Sequence, residues 1–334
     1  MERRTWVRRG ALGLAFVFAA SAPVFAQQHA APPGGEPRPE NLKVLPQDIS
    51  RQELIALMGQ FTRALGVRCS YCHVTEQEKP DAKNRFALDD KPAKIKARAM
   101  MEMTRDINQK YLAQLAHRET PAINVQCVTC HRGVTEPRQL SDVLANAYEK
   151  GGIDTTLARY QRLRDRYYGS ASYNFNEVSL GDAANELSKG GHDADALKLL
   201  ALNVEMNPKS AYARRQHADA VIEQGYLNGG ADAGAAAYRD MKGTYTDAVV
   251  NEELLNQVGY DLLGQGKNDL ALAAFKLNVA EHPQSGNAYD SLGEAYAMTG
   301  DKKQATAAYK KAVELDPRNE NAKHSLEELK KKKK

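Results

Sequence analysis

Every cysteine in this 334-residue chain falls in one of two pentapeptides, Cys69-Ser70-Tyr71-Cys72-His73 and Cys127-Val128-Thr129-Cys130-His131, and both have the form C-x-x-C-H. The spacing has a chemical reason. Two thiols three residues apart can add to the two vinyl groups of one porphyrin, and the adjacent histidine then reaches the iron as proximal ligand. The pattern predicts two covalently bound haem c groups, one on Cys69, Cys72 and His73, the other on Cys127, Cys130 and His131. A four-thiolate zinc site, a redox dithiol or a pair of disulfides would also use these cysteines. None of them requires a histidine directly after the second cysteine in both copies.

The N-terminus points to export. Arg3, Arg4, Arg8 and Arg9 precede an apolar run from Ala11 to Ala20, and Val24-Phe25-Ala26 offers the small residues that a signal peptidase accepts, so residues 1–26 read as a signal peptide cleaved after Ala26. A faint twin-arginine look at residues 2–8 gives way to the general secretion route, because a c-type cytochrome folds around a haem that it acquires after translocation. No later stretch approaches the roughly 18 apolar residues of a spanning helix. The expected location is periplasmic, with no transmembrane span after cleavage. The formal net charge of +4 falls to +1 without residues 1–26, and Lys330 to Lys334 supply five positive charges at the extreme end. The body is then slightly acidic, which gives nucleic-acid binding little electrostatic support.

Residues 27–45 form a Pro- and Gly-rich leader with little to bury. Ser50-x-x-Glu53 is a capping box with Ile49 and Leu54 as its staple, and it opens a helix that runs to Leu65 and stops at Gly66. A second helix is expected from Lys91-Pro92 to about Leu115, roughly 37 Å long at 1.5 Å per residue. The two haem motifs follow these helices, which sets residues 46–150 apart as a cytochrome domain.

From residue 151 to 334 the texture changes to alanine-rich repeats ending in the lysine tail. Gly259, Gly266, Ala271, Ala274, Phe275 and Pro283 recur 34 residues later as Gly293, Gly300, Ala305, Ala308, Tyr309 and Pro317. That period is the signature of tetratricopeptide repeats. A longer echo returns Gly151-Gly152 and Tyr160 as Gly229-Gly230 and Tyr238 after 78 residues. Asn176, Leu180, Gly191, Ala196, Pro208 and Gly225 return after 75 as Asn251, Leu255, Gly266, Ala271, Pro283 and Gly300. An internal duplication with one small deletion explains both offsets. The fold class is therefore all-α: a small dihaem c-type cytochrome domain followed by an α-solenoid of tetratricopeptide repeats, whose concave surface suits a protein or peptide.

A proximal histidine leaves one axial position on each iron. Met58 is the candidate for the first haem, on the apolar stripe Leu54, Met58, Phe61 and Leu65. Its bland alternative is a core methionine, although here the core would itself be the haem. For the second haem, Met100 and Met103 share a face with Ile107 and Tyr111, whereas Met101 lies with Thr104, Asn108 and Leu112. Spacing favours Met100 or Met103, with His117 the rival. His29, His192, His217, His282 and His324 read as surface residues of the leader and repeats.

The run Met58-x-x-Phe61-Thr62-Arg63-Ala64-Leu65-Gly66-Val67-x-Cys69-x-x-Cys72-His73, then Ala97-Arg98-x-Met100-x-x-Met103-Thr104-Arg105-Asp106-Ile107-Asn108, then Cys127-x-x-Cys130-His131-Arg132-Gly133, closely resembles the cytochrome subunit of photosynthetic reaction centres over about residues 42–137. In that family a sixth ligand is commonly a methionine on the helix before its C-x-x-C-H, and the resemblance carries this to Met58. It also places Met100 at the family's ligand position and Met103 at a recurring methionine that is not a ligand, so Met100 is chosen and Met103 held in reserve. The family subunit has this two-haem unit twice and often a lipid anchor. This chain has one copy, no anchoring cysteine and a repeat tail, and a family histidine serving another haem falls on Gln114.

The resemblance implies outer-sphere electron transfer between a redox protein donor and acceptor, with no catalytic residue. Two readings compete with it. In a haem enzyme of the dihaem-peroxidase type one iron would be five-coordinate, and in an interaction scaffold or sensor the haems would serve partner binding rather than charge transfer.

Overall fold

The computed structural model describes residues 38–117 and 120–331. The expected signal peptide, most of the leader, His29 and the last three lysines lie outside the described residues. Helices and their connections account for all regular structure among the described residues, in keeping with the all-α expectation.

Helix α1, Arg51–Leu65, has both halves of the capping box. The Ser50 hydroxyl accepts from the Glu53 N–H at 3.2 Å, and the Glu53 carboxylate accepts from the Ser50 N–H at 3.0 Å. Gly66 ends the helix in the left-handed region at φ 64°. Helix α2, Pro92–Asp106, starts at the expected proline, but its continuation departs from a uniform 25-residue α-helix. Residues Ile107–Tyr111 form a π-helical turn and Leu112–Gln114 a 3₁₀ turn. The extra residue of a π turn rotates everything after it. Tyr111 therefore does not stay in the straight-helix register with Met100 and Met103. Helix α3, Cys127–His131, is the second C-x-x-C-H itself, while Cys69–Tyr71 of the first forms a 3₁₀ turn.

Helix α4, Leu140–Tyr167, begins the paired-helix array. It is followed by α5 (Glu177–Lys189), α6 (Asp193–Met206), α7 (Ala211–Thr244), α8 (Glu252–Gly264), α9 (Asn268–Glu281), α10 (Gly286–Met298), α11 (Lys302–Leu315) and α12 (Glu320–Lys331). The 34-residue period has a packing cause. A Cβ on Gly259 would come 2.6 Å from the Phe275 ring, and one on Gly293 would come 2.7 Å from the Tyr309 ring. Each glycine lets one helix of a pair sit directly on the aromatic ring of the next.

The longer echo is structural as well. Both α4 and α7 break at the second glycine of their pair, Gly152 with φ 68° and ψ −164°, Gly230 with φ 77° and ψ −165°. Tyr160 and Tyr238 are buried behind these kinks. Asn176 and Asn251 both cap helices, and the wholly buried Asn203 and Asn278, also 75 residues apart, donate to the Glu177 and Glu252 carbonyls. One echoed pair has no structural counterpart. Gly300 turns the chain at φ 85°, whereas Gly225 lies inside α7 against Ala237 and Gly234.

The core lies almost wholly in the repeats. One cluster joins Leu140, Leu144 and Tyr160 to Leu180, Leu187 and Leu199. A second runs from Ala218 and Ile222 through Leu255 and Phe275 to Leu292, and a third surrounds Tyr309 and Ala322. Two of the expected surface histidines are only partly exposed. His217 is half-buried, with Nδ1 2.9 Å from the Tyr245 hydroxyl, and Nε2 of His282 is sealed from solvent. His192 and His324 are exposed as expected.

Candidate haem centres

Between residues 38 and 139 only two apolar side chains among the described residues are buried, Ala64 and Val134. The large apolar groups that would ordinarily make a core face outward instead: Ile55, Phe86, Ile95, Met100, Met103 and Tyr111 are all at least 40% exposed. A domain cannot hold together on so little burial, and flat apolar groups supplied from outside the chain would give these side chains their contacts. The residues present therefore fit porphyrins. A cleft of about 670 Å³ beside the first motif is lined by Thr62, Val67, Arg68, Cys69, His73 and Phe86, joining thiol and imidazole to apolar walls.

The two motif histidines are held alike. His73 Nδ1 lies 3.1 Å from the Phe86 carbonyl oxygen, and His131 Nδ1 lies 3.0 Å from the Val134 carbonyl oxygen. With the proton on Nδ1 each ring donates to its carbonyl and leaves the Nε2 lone pair free, which is the tautomer a metal needs. The Phe86 ring also packs against the His73 ring at 5.1 Å between centroids. Burial pushes His73 below the usual imidazole range, Lys94 and Lys91 push the same way, and the Phe86 carbonyl opposes them. The neutral ligand form is favoured. Burial likewise raises the Cys72 and Cys127 thiols.

Backbone contacts join the second centre to the rest of the chain. The Gly133 N–H donates to the Ala64 carbonyl at 2.8 Å, tying the end of α1 to the residue two past His131. The Ser172 hydroxyl, on the loop between α4 and α5, donates to the Arg132 carbonyl at 2.6 Å. Asn108 on the π turn donates to the Val125 carbonyl and accepts from the Val125 N–H, both at 2.8 Å, and so anchors the approach to Cys127.

The first centre has a charged surround. Asp89 accepts from Lys43 at 2.8 Å, Arg98 at 2.8 Å and Asn41 at 2.9 Å, with Lys94 at 3.3 Å. Hydrogen bonds from Arg98 and Lys43 hold its carboxyl well below the usual range. Lys94, only 13% exposed, donates to the Phe86 carbonyl at 2.9 Å and the Leu88 carbonyl at 2.8 Å.

Met58 is half-buried on α1, but the cleft at His73 is lined from that helix by Thr62, one turn further on. Met100 and Met103 share the exposed face of α2, 40% and 46% accessible, while Met101 turns inward with Ala97, Arg98 and Asn108. His117 sits exposed in the following loop at φ 59°. The four cysteines are free thiols, and no three His, Cys, Asp or Glu among the described residues group as metal ligands, so the two motifs do not converge into one zinc site. Sequence reasoning missed Phe86, Val134, Lys94 and Ser172. These act through a backbone carbonyl or on one, and any residue type can supply a carbonyl. Gly133 alone carried a signal, as part of His131-Arg132-Gly133.

Fold and site together define a c-type cytochrome module followed by a paired-helix solenoid. Residues 24–179 match the family Photosynthetic reaction centre cytochrome C subunit, and residues 286–319 match Tetratricopeptide repeat. Over residues 24–179 the chain is thus similar to a cytochrome family whose cofactor is covalently bound haem c and whose chemistry is electron transfer.

Cytochrome c-554 of Chloroflexus aurantiacus is 36% identical over 95 residues, covering 28% of this chain and 20% of that protein. The photosynthetic reaction center cytochrome c subunit of Rubrivivax gelatinosus is 36% identical over 101 residues, covering 27% and 25%. The chain thus spans a quarter or less of the length of these curated relatives. Among solved structures, MamA 41-end from Desulfovibrio magneticus RS-1 aligns at 19% identity over 48% of this chain and 86% of that one, with a TM-score of 0.29. A thermophilic tetratricopeptide protein of Thermus thermophilus aligns at 19% over 57% and 96%, also at 0.29. At that score neither likeness bears on function.

Proposed function

We propose that the chain is a periplasmic dihaem cytochrome that carries electrons between redox proteins, with its repeats as the docking element. The observation that carries this reading is the matched pair of histidines, each in a C-x-x-C-H and each bonded through Nδ1 to a backbone carbonyl. Haem c supplies reversible one-electron chemistry when bound. Cys69 and Cys72 would tether one group and Cys127 and Cys130 the other, with His73 and His131 presenting Nε2 to iron. Met58 and Met100 would fill the sixth positions, with Met103 in reserve. Thioether ligation raises potentials relative to two imidazoles.

The Gly133–Ala64 hydrogen bond ties the second motif to the helix that leads into the first, so the chain holds both centres without a large hydrophobic core. No side chain needs to move a proton. Paired-helix repeats are a protein-interaction architecture, and the Ser172 contact joins the start of the array directly to the second motif.

Mass and optical spectra of the protein matured with haem-attachment machinery test the reading, compared with Met58→Ala and Met100→Ala. Two haems per chain are expected, and each variant should lose the sulfur-to-iron band of one haem. A mass of bare polypeptide refutes the function, and an unchanged spectrum in Met100→Ala moves the ligand to Met103 or His117.

A further inference from the structure

The two histidines share a geometry but not an electrostatic setting. The carbonyl that orients His73 also accepts a hydrogen bond from the Lys94 ammonium: Nδ1 lies 3.1 Å and Nζ 2.9 Å from the same Phe86 oxygen. Lys94 is not screened as a surface lysine would be, since its side chain is 13% exposed and anchored on two carbonyls and Asp89. Lys43 and Arg98 converge on the same aspartate, so one carboxylate faces three cations and the cluster keeps a net positive charge. Lys91 lies close by, on the Ser70 carbonyl within the first motif, but its charge is matched by Glu78 at 2.9 Å, so the uncompensated charge is that of the Asp89 cluster.

Among the described residues the second centre has nothing equivalent. Among the described residues no charged side chain donates to the Val134 oxygen that orients His131. The neighbouring Arg132 is exposed, and its guanidinium turns to the Thr129 carbonyl at 3.3 Å. The neutral Ser172 hydroxyl makes the other nearby contact.

We propose that Lys94 is a positioning and tuning residue that makes the His73 centre the more oxidising of the two, so that electrons entering the module come to rest there. This rests on the dihaem reading above. With both groups bound and one electron between them, the electron would rest on the group held by His73, its loss from the group held by His131 balancing its gain there. No bond forms or breaks, and no proton moves. A fixed positive charge beside His73 disfavours the ferric state, which carries one more positive charge than the ferrous state. Held roughly 6 Å from the ring at an effective dielectric of about 20, a unit charge changes such an equilibrium by about tenfold or more.

The experiment is a spectroscopic redox titration of the mature protein and of Lys94→Gln, Lys94→Arg and Asp89→Asn. The wild type should titrate in two waves. In Lys94→Gln the upper wave should fall by about tenfold in its equilibrium constant, or about 59 mV for one electron, while the lower wave stays. Lys94→Arg should stay near wild type. Asp89→Asn should move the upper wave the opposite way, which mere loosening of the loop would not do. A single wave in the wild type, movement of the lower wave, equal movement of both, no movement, or an Arg variant that reproduces the Gln shift each overturns the proposal. A haem count below two in the wild type refutes the dihaem reading itself, before any potential is compared.

Discussion

Gly66 is where one small change should disturb both proposed haem centres. It sits at φ 64°, and a Cβ there would overlap the Gly133 carbonyl oxygen, backbone against backbone. Neither partner can rotate aside, so Gly66→Ala must push the end of α1 off the second motif and stretch or break the 2.8 Å bond from the Gly133 N–H to the Ala64 carbonyl. Left-handed strain on alanine costs about 1–2 kcal/mol, and the overlap adds about 1–3 kcal/mol. The total is about 3 kcal/mol.

Gly266 supplies the control, because its φ is 71° and a Cβ there meets nothing within 4 Å. Gly266→Ala should cost only the strain, about 1 kcal/mol. Denaturant unfolding followed by haem absorbance for the cytochrome module and by far-ultraviolet circular dichroism for the repeats separates the two. Gly66→Ala should lower the haem-detected midpoint and leave the helical signal of the repeats nearly unchanged, with Gly266→Ala doing the reverse at smaller size. If Gly66→Ala costs no more than Gly266→Ala, or acts on the repeats alone, then the contact does not couple the motifs and the reasoning fails.

Two further outcomes are expected in the repeats. Asp219 has a carboxylate oxygen sealed from solvent without a partner, and burial pushes its pKa up to about 7, with Asp261 and Glu223 adding to the rise and Arg215 opposing it. The unfolded chain ionises this group near 3.8, so its contribution to stability is whole below that pH and is lost as pH rises towards about 7. Asp219→Asn should remove that slope and stabilise the repeats at pH 8 by at most about 4 kcal/mol, as read by urea midpoints across the pH range. An unaltered slope refutes it. Asn278→Ala should remove the amide donor to the Glu252 carbonyl and cost about 1 kcal/mol, and Asn203→Ala should cost the same at the duplicated position. A near-neutral midpoint for both would show that these buried amides contribute nothing to stability.

The local parts of the fold could be read directly from the sequence. Ser50 and Glu53 cap α1 as their spacing requires, Gly66 stops it, and Gly259 and Gly293 admit the aromatic rings found 16 residues after each. These features rest on contacts within a few turns of chain, where a residue pattern and a geometry correspond closely. The π turn at Ile107–Tyr111 escaped because no residue type encodes it; it coincides with the Asn108 bonds to Val125, 17 residues away. His217 and His282 escaped for a similar reason, since packing between helices decided their burial.

At the haem centres the division is sharper. The pentapeptides alone carry the proposed chemistry, because thioether attachment and proximal ligation depend on side-chain types at fixed short spacing. Only the tertiary structure decided what surrounds each histidine: the Phe86 and Val134 carbonyls, the Lys94 ammonium behind one of them, and Ser172 reaching the residue beside the other. A carbonyl oxygen is common to every residue, so its recruitment leaves no trace in composition or periodicity. It becomes visible only when distant segments are folded against each other.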